Sequence, residues 1–216
     1  MKPLIFALVL TCCAAAPAPA QTLTPPEIDA AIEAGRTGKE KPLVLTCEAV
    51  VGFRELFRTE KSGHNPLGSF AITIALSTGR IALMSAEAAR LYKPFAASQV
   101  PAELKTMAAF LAAEPRAPET GATPGSYIVP SLIEQIVIRT WPKRDRFVVP
   151  AELVTAPVEW PNVGGAPLQV NRARARFALG EIRELTLGDL EAVVVTQAGE
   201  RTCAIRGGDR KRVFGR

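Results

Sequence analysis

The 216-residue chain has one histidine, His64, and that scarcity removes several chemistries at once. Zinc sites are normally built from spaced histidines or cysteine clusters. Neither His-x-His nor H-E-x-x-H occurs, so no metal is expected. A Ser–His–Asp site would have to use His64 as its base, yet no G-x-S-x-G elbow accompanies it. His64 stands among Glu60, Lys61, Ser62, Gly63, Asn65 and Pro66, the composition of a solvated loop.

Partial motifs fail for want of their other parts. Lys61-Ser62-Gly63 matches the K-[ST]-G element of penicillin-recognising enzymes, but S-x-x-K is absent. Gly35-Arg36-Thr37-Gly38-Lys39 covers part of a P-loop, but the first glycine is missing and Glu40 replaces the hydroxyl. No cofactor and no catalytic residue is assigned on these grounds.

Long apolar runs are also missing. The longest near the start, Leu4 to Leu10, follows the single cation Lys2 and fades into Ala and Pro, and no acid precedes Glu27. That layout is a cleavable secretory signal over residues 1–20, with Ala18 and Ala20 as the small residues before the cut. A membrane anchor is the competing reading, but the run is short for roughly 30 Å of hydrocarbon and is broken by Pro17 and Pro19. A lipoprotein would lipidate Cys12 or Cys13, yet Thr11 and Cys12 fit poorly the slot for a small residue before that cysteine. The expected product is exported, periplasmic or extracellular, without a transmembrane segment. Loss of Lys2 lowers the net charge from +5 to +4, a surplus that ordinarily serves solubility.

Cysteine is sparse as well. Cleavage removes Cys12 and Cys13 and leaves Cys47 and Cys203 in an oxidising compartment, where an even pair favours a disulfide. Both lie in strand-like text, so the bond would join the first strand to the last and close a loop of 156 residues. On the chain-entropy account that loop stabilises by roughly 4–5 kcal/mol. Two free buried thiols are the alternative. A redox pair is not, because C-x-x-C is absent.

Periodicity organises the rest. Thr24-Pro25-Pro26-Glu27 reads as a capping box with proline at the first helical position, and Gly35 is placed to end that helix. Pro42–Phe53 and Ser69–Leu76 read as two strands of a long-looped hairpin, the second putting Phe70, Ile72, Ile74 and Leu76 on one face. From Gly79, Ile81, Met84, Ala88 and Leu91 recur at helical spacing up to Lys93-Pro94. Pro101–Glu114 fits helix in its first part and strand in its second. Strand-like runs follow at 132–141, 146–149, 170–177, 190–196 and 202–206, with a hairpin turn at Gln197–Glu200. The expectation is an α+β protein: a small α/β unit over 21–114, a linker over 115–126, and an antiparallel β-sandwich-like unit over 127–216 with a basic C-terminal tail.

Gly79-Arg-Ile-Ala-Leu-Met-Ser-Ala-Glu-Ala-Ala-Arg-Leu-Tyr-Lys-Pro-Phe95 and Gly188-Asp-Leu-Glu-Ala-Val-Val-Val-Thr-Gln-Ala-Gly-Glu-Arg-Thr-Cys203 resemble uncharacterised small exported bacterial proteins. The resemblance covers those two stretches. It implies an α/β front half and a β back half, and it carries no functional residue.

Carboxylates are the remaining acid–base resource. Glu134, Glu159, Glu181 and Glu184 would serve a carboxylate-dependent hydrolase acting on envelope polysaccharide, which needs two acids flanking a cleft, with Trp160 as a stacking platform or as core packing. The most distinctive pattern is Asn171-Arg172-Ala173-Arg174-Ala175-Arg176-Phe177. On a strand, Arg172, Arg174 and Arg176 would share one face and could bind an anionic envelope polymer, extended by Arg206, Arg210, Lys211, Arg212 and Arg216. The competing reading is a solvated face that deters edge aggregation, with Glu181 and Glu184 neutralising the row. Specific nucleic-acid binding is not expected, since the aromatic motifs of single-strand binders are missing. The functional expectation is a non-enzymatic binding or assembly module of the cell envelope, with the hydrolase as the alternative.

Overall fold

The computed structural model describes residues 21–38, 44–51, 70–115, 132–160, 168–185, 188–197 and 199–215. The expected signal segment 1–20, Lys61-Ser62-Gly63, His64 and residues 116–126 of the expected linker lie outside the described residues, as does Arg216.

Helix α1 spans Pro25–Thr37, with Pro25 opening the first turn. The Glu27 carboxylate accepts from the Thr24 N–H (2.7 Å) and from its hydroxyl (2.8 Å). These bonds hold Glu27 below the ordinary carboxylate pKa. Gly35 does not end the helix. The chain continues to Thr37 and is capped by Gly38, in the left-handed region (φ 62°), whose N–H bonds the Ala34 carbonyl. Gly35 is needed for packing instead. A Cβ there would stand 2.1 Å from the Ala82 carbonyl oxygen of the next helix.

Strands β1 (Val44–Val51) and β2 (Phe70–Leu76) form the expected antiparallel hairpin, paired from Val44↔Ala75 to Ala49↔Phe70. β2 buries Phe70, Ile72 and Ile74 and runs directly into α2 (Ser77–Arg90). Ser77 makes that junction: its Oγ donates to the Thr106 carbonyl (2.6 Å) and accepts the Ala108 N–H (2.9 Å). The buried stripe of α2 is Ser77, Gly79, Ile81, Ala82 and Ser85. The expected stripe through Leu91 is corrected, because Leu91 is the exposed C-cap. Small residues dominate the buried side because α2 lies close against α1, where Ser85 Oγ also donates to the Ile32 carbonyl (2.7 Å).

The ambiguous stretch divides into a short 3-10 turn over Ala102–Lys105 and strand β3 over Ala109–Pro115. Then follow β4 (Ile133–Trp141), β5 (Phe147–Val148), β6 (Glu152–Trp160), β7 (Leu168–Phe177), α3 (Leu179–Glu184), β8 (Asp189–Thr196), β9 (Gly199–Ile205) and α4 (Gly207–Phe214). β6 is not among the expected strands, and it carries Pro157, which cannot donate to a ladder. The proline is tolerated because β6 lies at the edge of the sheet, where one side of the strand forms no ladder. The C-terminal segment is a helix rather than a tail, and it buries Val213 and Phe214.

The α+β class holds, and its sheet-rich part is one nine-stranded sheet in the order β5-β4-β8-β9-β1-β2-β3-β7-β6. Adjacent strands are antiparallel throughout. Strands from both expected units share it: β1 pairs with β9, and β3 with β7. The sheet curls until its wings meet at a side chain, without closing into a barrel. The Asn171 amide on β7 accepts the Ile133 N–H (2.7 Å) and donates to the Ile133 carbonyl (3.1 Å) at the start of β4. Asn171 thereby stands in for a missing rung of ladder.

The concave face holds the main core, including Phe70, Ile72, Leu111, Ile136, Ile138, Phe177, Leu190 and Val194. α3 and α4 contribute Leu179, Ile182, Val213 and Phe214 to that core, beside the strand ends from which they emerge. A second cluster on the convex side joins Ile28 and Ala31 of α1 to Ile81 of α2, with Phe110 of β3 packed against it. Cys47 and Cys203 form the expected disulfide, joining β1 to β9 with Cα atoms 6.2 Å apart. Among the described residues, no helix is long and apolar enough to cross a membrane.

Candidate functional site

β7 shows the alternation that its sequence implies. Ala173, Ala175 and Phe177 are buried in the core, and Arg172, Arg174 and Arg176 take the opposite, convex face. On one side the row is flanked by Ala112, opposite Arg174, and Phe110, opposite Arg176. On the other it meets Ala156, Val154 and Glu152 of β6, opposite Arg172, Arg174 and Arg176. Arg172 and Arg174 are exposed; Arg176 is half-buried, and its Nε is buried with no hydrogen-bond partner.

Arg80 of α2 is electrostatically coupled to Arg174 of the row. Its neighbour Ile81 belongs to the convex cluster against which Phe110 packs, and Phe110 is the cross-strand partner of Arg176. Arg80 is half-buried, and burial first, then the charge of Arg174, pull its pKa below the ordinary guanidinium value, while Glu114 acts in the opposite direction. Among the described residues, no ion pair joins Arg80, Arg172, Arg174 or Arg176 to an acid. Sequence reasoning missed Arg80. The available signal was a cation near the start of a helix whose first turn has no acid, the end that the helix dipole makes unfavourable for positive charge.

The other expected partners lie elsewhere. Glu181 and Glu184, on α3, line an open hollow of about 390 Å³ with Asp145, Arg146, Phe147, Val148 and Leu185, and do not neutralise the row through ion pairs. Glu134 is exposed on β4. Trp160 pairs through its backbone with Leu168 at the start of β7, whereas Glu181 and Glu184 follow the end of that strand. The ring of Trp160 and the carboxylate of Glu159 lie outside the described side chains. The basic C-terminal segment does not extend the row as a free tail: Arg206 pairs with Asp189 (3.9 Å), Arg212 with Asp209 (3.3 Å), and Arg210 donates to the Gly188 carbonyl (2.9 Å).

A second outward arginine cluster is saturated. Arg139 on β4 binds Glu191 on β8 (2.9 Å) and Glu200 on β9 (2.9 Å), and Arg144 binds Glu191 (3.2 Å) while stacking on Trp141 at 4.7 Å. Burial opposes the Arg139 charge, but the bonds from Glu200 and Glu191 outweigh it and raise its pKa. Glu191 is 5 % exposed and is followed on its strand by Ala192 and three valines. An acid inside Leu190-Glu-Ala-Val-Val was the sequence signal for this cluster. Among the described residues, no group of His, Cys, Asp and Glu side chains is placed to hold a metal ion. No protein-family model, curated protein or solved structure matches the chain.

Proposed function

We propose that this is a non-enzymatic binding module of the cell envelope, exported and acting in the periplasm or outside the cell, whose β7 arginine face takes an anionic polymer. The observation that carries this reading is the unsaturated row: Arg172, Arg174 and Arg176 share one face with no acid ion-paired to them. The competing explanation of edge protection fits the geometry less well, since β7 lies between β3 and β6 and is not an edge strand. The edge is β6, which carries Pro157. The Cys47–Cys203 disulfide supports an oxidising compartment.

The test is retention of the purified protein on immobilised lipopolysaccharide as a function of salt. Replacing Arg172, Arg174 and Arg176 together by Ala should collapse retention at physiological salt, because each lost cation removes one anion contact and its share of the salt dependence. Salt-sensitive retention unchanged in the triple variant would defeat the reading.

A further inference from the structure

We infer that the open side of β5 and the hollow beside it form a docking strip for an extended basic segment of a partner protein, which joins the sheet as a further strand. The inference is independent of the arginine face on β7. β5 ends the sheet, with β4 as its one neighbour among the described residues. The Thr140 N–H donates to the Arg146 carbonyl (2.9 Å), and the register continues with Arg139↔Phe147 and Ile138↔Val148. Antiparallel ladders alternate hydrogen-bonded with non-hydrogen-bonded pairs, so Arg139↔Phe147 is of the second kind and the Phe147 N–H and C=O point away from β4. That orientation offers both groups to an incoming strand.

The side chains there are not those of a protected edge. Phe147 is 65 % exposed and Val149 46 % exposed, where edges are normally blunted by charge or proline, as β6 is by Pro157. Pro150 limits the backbone pairing, so side chains must supply much of the binding. The hollow of about 390 Å³ lies between residues 145–148 and one face of α3, and its lining is amphipathic. Phe147, Val148 and Leu185 are apolar, while Glu181 and Glu184, three apart on α3, bring two carboxylates. Among the described residues neither acid is ion-paired, and the α3 cation, Arg183, donates to the Phe214 carbonyl (3.1 Å). Asp145 and Arg146 also line the hollow, but Asp145 is engaged by the Thr140 hydroxyl (2.9 Å) and by the charges of Lys143 and Arg146. The uncommitted charge is that of Glu181 and Glu184. A lysine or arginine side chain suits this lining, its methylene stem along Phe147 and Leu185 and its head at the two acids. Pairing of β5 with the β5 of a second copy would instead bring like charges to one seam.

The test is fluorescence anisotropy of the full chain with blocked heptapeptides that alternate valine with arginine, in both phases. Two control sets carry glutamine in place of arginine, or methylated backbone nitrogens. The arginine peptides should bind, and each control set should bind about tenfold more weakly, having lost the charge-assisted contact or the strand hydrogen bonds. Glu181→Gln/Glu184→Gln should weaken the arginine peptides about tenfold, to the level of the glutamine set, and Phe147→Thr should weaken all sets. These three positions are exposed, so unchanged thermal midpoints will show that the variants fold. Replacing Arg172, Arg174 and Arg176 by Ala should leave peptide binding at the wild-type level, which separates this test from that of the polyanion face. The strip is overturned if the arginine peptides fail to bind at about 1 mM, the weakest affinity worth considering. It is equally overturned if backbone methylation changes nothing, if the double glutamine variant binds like wild type, or if the wild type forms dimers that Phe147→Thr dissolves, which would give the edge to a second copy.

Discussion

Removing the Cys47–Cys203 bond tests how the two wings of the sheet are held together. Cys47 lies on the first strand and Cys203 on the last, 156 residues apart, yet β1 and β9 are sheet neighbours. Among the described residues their ladder comprises Val50↔Thr202 and Val51↔Arg201, whereas β1 pairs with β2 over six positions and β8 with β9 over seven. The bond therefore reinforces a seam whose described backbone pairing is short. The chain-entropy relation gives about 5 kcal/mol for a loop of this length, and native disulfides commonly contribute about 2–5 kcal/mol. We expect a loss of about 3–5 kcal/mol for the double variant Cys47→Ala/Cys203→Ala. Alanine is the better replacement because Cys203 is 2 % exposed, and a serine hydroxyl there would be buried without an assured partner. With a urea m-value of about 2 kcal/mol/M, the midpoint should fall by about 1.5–2.5 M. The m-value should rise, because an unlinked denatured chain exposes more surface. Wild type measured in reductant should follow the double variant. A loss below about 1 kcal/mol would show that the seam holds without the bond and would refute this account.

Two substitutions probe other close approaches. Gly35→Ala should destabilise by about 2 kcal/mol despite the helix-propensity gain of about 1 kcal/mol, because the new Cβ meets the Ala82 carbonyl at 2.1 Å. Gly180→Ala, which meets nothing within 4 Å, is the control and should be neutral or stabilising; equal thermal midpoints for the two variants would contradict the packing argument. Asn171→Ala removes both bonds to Ile133 and should cost about 2–3 kcal/mol, with faster hydrogen exchange at the Ile133 amide; unchanged protection there would mean that the wings meet without this side chain.

Local signals carried much of the fold because they act over a few residues. The Thr24–Glu27 capping box, the alternation of β2 and the alternation of β7 all appear where the pattern put them. What escaped depended on contacts between distant segments. Gly35 reads as a terminator by itself, and only α2 passing beside it turns it into a packing residue. Pro157 cannot donate to a ladder, and only its place on an edge strand makes it acceptable. Val213 and Phe214 sit in a strongly basic segment whose charge concealed two buried anchors. For the candidate site, β7 supplied three arginines at period two, while Arg80 arrives from another element with which it shares no sequence period.

The contrast between the two arginine clusters bears on whether the β7 row is ordinary surface charge. Both lie on outward positions of one sheet. Around Arg139 the strands provide acids, Glu191 directly opposite on β8 and Glu200 on β9, so the cations there are tied into a structural network. β7 has the same opportunity on both flanks, yet the positions opposite Arg174 are Ala112 and Val154, and Glu152, opposite Arg176, forms no ion pair with it. Arg176 is left with a buried donor lacking an acceptor, and Arg80 feels the charge of Arg174 as well as the opposing charge of Glu114. Two acids, Glu114 and Glu152, stand beside the row, yet neither forms an ion pair with it. It is this contrast that supports the proposed anion site on the convex face of β7.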